Sequence, residues 1–211
     1  MDALILAAGL GSRMEDLTRN TPKPLLKINN KTLISYALDI TSKLTLDNIY
    51  VNTHYLAEQL NNYLQDQYPQ IIISHENTIL GTGGGIKNIQ NQDLLIMNTD
   101  NLWQSSFMDE IENAIQHFSQ NQEIENLMLV NSDSLNNDLE INDQKIIFPS
   151  QQKNTKFQGC HLLRHESLNK YPEIFDIPLY WKDCSIKQHL YGFETLTTNP
   201  HIGTKELYLQ Y

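Results

Sequence analysis

Short apolar runs and amphipathic stretches alternate through the first half of the chain. Leu4 to Ala8 is an apolar run of strand length, and Leu33, Tyr36, Ala37, Ile40 and Leu44 follow at helical spacing. Ile49-Tyr50-Val51 reads as a second strand, Leu56, Leu60, Tyr63 and Leu64 as a helical stripe, and Ile71-Ile72-Ile73 as a third strand. Leu94 to Met97 predicts a fourth strand, reached through a glycine-rich turn and a short helix around Ile86 to Ile89, and a further helix lies near Met108 to Phe118. Buried runs separated by helices are how a parallel sheet with crossover helices reads in sequence, so the expected class is α/β, a Rossmann-like doubly wound mixed sheet.

After that the pattern changes. Leu127 to Val130 predicts a strand, and Leu139 to Ile141 with Ile146 to Phe148 flank Asn142-Asp143-Gln144-Lys145 as the arms of a hairpin. A smaller β-rich portion therefore follows, with no internal repeat and no convincing linker, and a chain of 211 residues suits one domain.

Charge narrows the classes. The net charge of -10 and pI near 5.0 argue against a nucleic-acid or anionic-membrane partner, because a general basic field is what supplies affinity for such surfaces. Any phosphate must be held locally. Cys160 and Cys184 are too far apart for a C-x-x-C motif and have no zinc set around them. Met1-Asp2-Ala3 carries an acid where a secretory leader needs positive charge, and no run reaches membrane-spanning length, so a cytoplasmic protein with reduced thiols is expected.

The chemistry concentrates in Leu6-Ala7-Ala8-Gly9-Leu10-Gly11-Ser12-Arg13-Met14 and Thr21-Pro22-Lys23-Pro24-Leu25-Leu26. A strand ending in glycines exposes several backbone N–H groups in one concavity that a triphosphate can approach. Arg13 adds a forked cation suited to the β- and γ-phosphates. Lys23, between two prolines, is a fixed point charge for the reacting phosphates. Met14 stands where a dinucleotide fingerprint needs its third glycine, and no P-loop is present. Asp100 follows the Leu94 to Met97 strand at the carboxyl end, where open α/β sheets bind ligands. Trp103, Trp181 and Tyr180 either stack on a substrate or pack in the core.

These residues resemble the sugar-1-phosphate nucleotidyltransferases, whose opening signature is L-A-A-G-x-G-x-R followed by P-K-P-L. The resemblance continues through Asn52-Thr53-His54-Tyr55-Leu56, Ser74-His75-Glu76, Leu80-Gly81-Thr82-Gly83-Gly84-Gly85-Ile86 and Asn98-Thr99-Asp100. Within that family it is nearest N-acetylmuramate-1-phosphate uridylyltransferases, then mannose-1-phosphate guanylyltransferases. It implies an α/β/α sandwich, with residues 1–125 mainly binding nucleotide and 126–211 mainly binding sugar, and transfer from a nucleoside triphosphate to a sugar 1-phosphate. Arg13 and Lys23 would be catalytic. Leu6, Ala8, Gly9, Gly11, Ser12, Glu76, Gly81, Thr82, Gly83 and Gly84 would bind the nucleotide, and Asn52, with His54, and Gly159 the sugar. Glu76 reads equally well as a solvated strand-end acid.

Asp100 would hold Mg²⁺, which relieves the repulsion between two anionic reactants. His201-Ile202-Gly203-Thr204 resembles a closing D-[IV]-G-T motif whose aspartate is usually the second metal ligand. Histidine there leaves three readings: one-carboxylate magnesium binding, a softer metal, or lost catalysis. Choline-phosphate cytidylyltransferase is an alternative within the fold. A non-catalytic nucleotide-sugar sensor is the alternative of another class.

Overall fold

The computed structural model describes residues 1–89, 91–134 and 136–211. Its strands and helices are, in chain order, β1 (Asp2–Leu6), β2 (Lys27–Ile28), β3 (Lys31–Thr32), α1 (Leu33–Thr41), β4 (Ile49–Thr53), α2 (Ala57–Gln67), β5 (Ile72–His75), α3 (Gly81–Ile89), β6 (Leu94–Asn98) and α4 (Phe107–Gln120). There follow β7 (Asn126–Asn131), β8 (Glu140–Asn142), β9 (Lys145–Ile147), β10 (Lys156–Leu163), α5 (Pro178–Ile186), β11 (Leu190–Glu194) and α6 (Lys205–Tyr208).

Nine strands form one sheet in the order β5-β4-β1-β6-β10-β7-β11-β9-β8, and β2 and β3 make a separate ribbon. The strands β5, β4, β1 and β6 run parallel, whereas β10 is antiparallel to both β6 and β7. The β-rich portion expected in the second half thus continues the same sheet. Asp143 and Gln144 at the β8–β9 turn both take positive φ, 47° and 63°, as a tight two-residue hairpin requires.

Alternation along the central strands builds two cores. Ala3 and Ile5 of β1, Leu95 and Met97 of β6, and Leu127 and Leu129 of β7 join α1, α2 and α4 on one face. Leu4, Leu94, Ile96, Met128 and Val130 join α3 and α5 on the other. This is the three-layer sandwich. A third cluster of Met14, Leu26, Ile28, Leu33, Leu102 and Ile202 lies under the loop that follows β1. Met14 is fully buried there, which explains an apolar side chain in the middle of a polar loop.

The glycine cluster departs from the expected turn, because it forms the first turns of α3. The glycines serve close packing: a Cβ on Gly83 would lie 2.3 Å from the Phe175 ring, and one on Gly84 would lie 2.2 Å from the Glu173 carbonyl oxygen. Gly84 N also donates to the Phe175 carbonyl at 3.0 Å. A glycine in a helix costs about 1 kcal/mol relative to alanine, and burial against the 173–176 segment offsets it.

Candidate active site

The carboxyl ends of β4, β1 and β6, with the first residues of the antiparallel β10, open into one cavity of about 670 Å³, within the range usual for small-molecule sites. Leu6, Ala8, Gly9, Gly11, Ser12, Arg13 and Lys23 line it from the loop after β1, Asn52 and Glu76 from the ends of β4 and β5, and Asp100 from the end of β6. Arg13 and Lys23 are the only lysine or arginine side chains among the described lining residues. Arg13 is exposed and has no ion pair among the described residues.

Lys23 and Asp100 are brought together from 77 residues apart, with Nζ 2.8 Å from Oδ2 and side chains only 11% and 17% exposed. His201 Nε2 approaches the same oxygen at 3.2 Å. Burial works to raise the Asp100 pKa, but the hydrogen bond from His201 and the charge of Lys23 outweigh it and hold the carboxyl well below the usual carboxylate range. Asp100 is therefore ionised. Its Oδ1 is buried and has no hydrogen-bond partner among the described residues, which also contain no group of three His, Cys, Asp or Glu side chains able to hold a metal. A single free carboxylate oxygen fits a hard cation that takes its remaining ligands from phosphates and water. Thr99 uses its hydroxyl to donate to the Leu6 carbonyl at 2.9 Å and ties the ends of β6 and β1 together.

Asn52 Oδ1 accepts from Ala7 N at 2.7 Å, and its Nδ2 donates to Glu76 Oε1 at 2.8 Å. Glu76 Oε2 accepts from Leu80 N at 3.0 Å, and the residue is only 3% exposed, so it is not a solvated strand-end acid. His54 Nδ1 lies 2.8 Å from the Glu76 carbonyl and braces it from behind. Asn52 and Gly159, expected to share one substrate group, stand on β4 and β10 with two strands between them and are not brought together. Gly159 instead packs under Asn101, whose Oδ1 lies 2.5 Å from where a Cβ would stand. Of the second glycine cluster, Gly81 and Thr82 line the cavity, while Gly83 and Gly84 face the 173–176 segment.

An aromatic wall closes the β10 side. Phe157, His161 and Trp181 all line the cavity, with ring centroids 5.7 to 6.0 Å apart in edge-on contacts. Of the three aromatics left open between substrate and core, only Trp181 reaches the cavity. Trp103 and Tyr180 are core residues, 4% and 1% exposed. Phe157 and His161 had no signal in the sequence because β10 itself was not anticipated.

Burial pushes the His161 imidazole down to about 3, and its Nδ1 accepts a hydrogen bond from Asn126 Nδ2 at 2.8 Å. The ring is neutral. Below pH 6.5 the unfolded chain takes up a proton that folded His161 refuses, so stability is full above that pH and falls as pH drops toward 3. The expected cost at pH 4.5 is roughly 2–3 kcal/mol, or about 5–10 °C in melting temperature. His161→Asn should flatten this slope relative to its own value at pH 7.5. Parallel melting curves for the two proteins would assign the acid limit to another group.

A family model described as nucleotidyl transferase matches residues 2–137. Over 111 residues the chain is 36% identical to N-acetylmuramate alpha-1-phosphate uridylyltransferase of Caulobacter vibrioides, covering 48% of this chain and 46% of that protein. Over 109 residues it is 33% identical to D-glycero-alpha-D-manno-heptose 1-phosphate guanylyltransferase of Aneurinibacillus thermoaerophilus, covering 49% and 47%. The chain thus spans about half the length of these curated relatives. The crystal structure of HddC from Yersinia pseudotuberculosis shares the fold, with a TM-score of 0.75 over 99% of this chain and 96% of that one at 22% identity. The matched stretch takes in the glycine loop, Lys23, Glu76 and Asp100, and with it the chain belongs to the nucleotidyl transferase family.

Proposed function

We propose that the protein transfers a nucleoside monophosphate from a nucleoside triphosphate to a sugar 1-phosphate, releasing pyrophosphate. The observation that carries this reading is the Lys23–Asp100 pair, set between a glycine loop bearing Arg13 and an aromatic wall. The acceptor phosphate is already ionised at neutral pH, so the reaction needs no general base, and what remains is positioning and charge neutralisation. Backbone amides after β1 receive the triphosphate, and Arg13 holds the β- and γ-phosphates that leave. Lys23 supplies positive charge where it builds around the α-phosphate. The Asn52–Glu76 pair, with Gly81 and Thr82, meets the base, and Phe157 and Trp181 meet the body of the acceptor. Asp100 would hold Mg²⁺ through Oδ1, and the ion, when bound, offsets the repulsion between the two anionic reactants.

Uridylyl transfer to N-acetylmuramate 1-phosphate is the specific form of the reading, supported by the relative of that name. Guanylyl transfer to mannose 1-phosphate and cytidylyl transfer to choline phosphate are the other forms that one experiment separates. The purified protein is incubated with Mg²⁺, each triphosphate and each acceptor, and pyrophosphate is measured. Release that requires one triphosphate and one acceptor together is expected. Triphosphate binding with no pyrophosphate from any pair would make the protein a non-catalytic binder.

A further inference from the structure

Phe157 and His161 stand four residues apart on β10, and in a regular strand that spacing would hold their Cα atoms about 13 Å apart. Here the register against β7 shifts between them, and Gly159 takes a φ of 74°. The irregularity brings the two rings to 6.0 Å between centroids, with the Trp181 ring of α5 5.8 Å from His161. All three line the cavity, so the distortion of β10 is what assembles the wall.

The wall carries two N–H groups without an acceptor among the described residues. The tautomer of His161 is set from behind. Asn126 Nδ2 donates to the Leu162 carbonyl at 2.6 Å, which fixes the orientation of the amide, since the amide oxygen in that place would meet another oxygen. The same Nδ2 lies 2.8 Å from His161 Nδ1, so Nδ1 is the accepting nitrogen. The ring is neutral and 3% exposed, its one proton is therefore on Nε2, and Nε2 has no hydrogen-bond partner among the described residues. Trp181 Nε1 is likewise buried without one. Buried donors in folded proteins are normally satisfied, and the open side of these two rings is the cavity.

Resting on the reading above, we infer that His161 determines which acceptor is used, through a hydrogen bond from Nε2 to an oxygen on the acceptor's body. The acceptor is then a phosphorylated sugar bearing hydroxyl or acyl oxygens, not a phosphorylated quaternary amine. A quaternary ammonium brings no hydrogen-bond acceptor and would leave both donors unpaired in a site it closes to water. It also needs open ring faces, whereas Phe157, His161 and Trp181 meet one another edge to face at 71° to 82°. Asp176, which lines the cavity with Glu76 and Asp100, has its Oδ1 on the α3 side, 2.8 Å from where a Cβ on Gly81 would stand.

The test uses the whole protein, isotope-labelled at the histidine nitrogens, with Mg²⁺ and a non-transferable analogue of each triphosphate present. Nuclear magnetic resonance shows which ring nitrogen carries the proton. The His161 signals are those absent from His161→Phe and from His161→Gln, and either variant suffices for the assignment if melting curves show that the other does not fold. At neutral pH the proton is expected on Nε2, and saturating N-acetylmuramate 1-phosphate or mannose 1-phosphate should shift that signal, whereas choline phosphate should leave it in place. In pyrophosphate assays His161→Phe, which keeps a ring and lacks the donor, should raise the KM for the sugar 1-phosphate about tenfold, with the KM for triphosphate within about threefold of wild type. Glutamine restores an N–H donor, so His161→Gln should recover part of that loss. A proton on Nδ1, an Nε2 signal that neither sugar 1-phosphate moves, or choline phosphate as the preferred acceptor of the wild type would overturn the inference. So would an unchanged acceptor KM in His161→Phe, or equal losses in the two variants. Failure of the transferase reading would appear separately, as no pyrophosphate from wild type with any substrate pair, while the nitrogen spectra still judged His161.

Discussion

Replacing Lys23 by alanine is expected to lower turnover by about 10²–10³-fold while triphosphate affinity changes by less than about tenfold. The ammonium is placed by its neighbours: Pro22 and Pro24 restrict the backbone, and Leu26 N closes a tight turn on the Lys23 carbonyl at 3.0 Å. On the proposed reading its charge would matter most when negative charge grows on the transferred phosphate, whereas ground-state affinity would be shared with Arg13 and the amides of the glycine loop. The variant also leaves the Asp100 carboxylate with His201 as its remaining partner on Oδ2. Because the pair is largely buried, a stability loss of about 1–3 kcal/mol should accompany the kinetic one, read as a drop of several degrees in melting temperature. Pyrophosphate release and calorimetric titration of the triphosphate check both halves. Unchanged turnover, or affinity falling as far as turnover, would remove Lys23 from the transition state.

Asp100→Asn should abolish most metal-dependent turnover, at least 10²-fold, with the fold retained. The backbone around residue 100 is held independently of the carboxylate, through Ile202 N on its carbonyl and the β6 register with β1. An amide oxygen can still accept from Lys23, but it brings no negative charge to a hard cation. The stabilisation that Mg²⁺ and triphosphate together confer on the melting temperature should shrink in parallel, since a ligand stabilises only as far as it binds. Full turnover at limiting magnesium would show that the ion is held elsewhere.

The first half of the molecule was readable because its signals are local. The strands β1 and β6 are continuous apolar runs, α1 and α2 carry regular stripes, and the loop from Gly9 to Leu26 gathers its glycines, arginine and lysine within one stretch of sequence. Asp100 could be placed because a strand end is a position that hydrophobic pattern reveals. The glycines of α3 pointed the other way, since local propensity favours a turn and only contact with Phe175 and Glu173 makes a helix there favourable. The helix α5 buries only Tyr180 and Cys184, too thin a stripe to announce itself. The aromatic wall depends on β10 pairing with β6, and the approach of His201 to Asp100 spans 101 positions of sequence. Pairings over such separations leave no periodic trace.

The insertion of β10 between β6 and β7 has a consequence for how the protein is made. The sheet edge of β6, with Leu94 to Met97 fully buried in the finished fold, has no neighbour on that side until β10 supplies one. Some sixty residues separate the two strands, so at ribosomal speeds of about 5–20 residues per second the nascent chain carries an open apolar edge for roughly 3–12 s. That edge is where a stalled or truncated chain would pair with a neighbour, so aggregation during synthesis should respond to anything that delays β10. A fragment ending at residue 137, where the family match stops, would keep that edge open permanently, and the glycine loop, Lys23 and Asp100 would sit on a sheet that never closes.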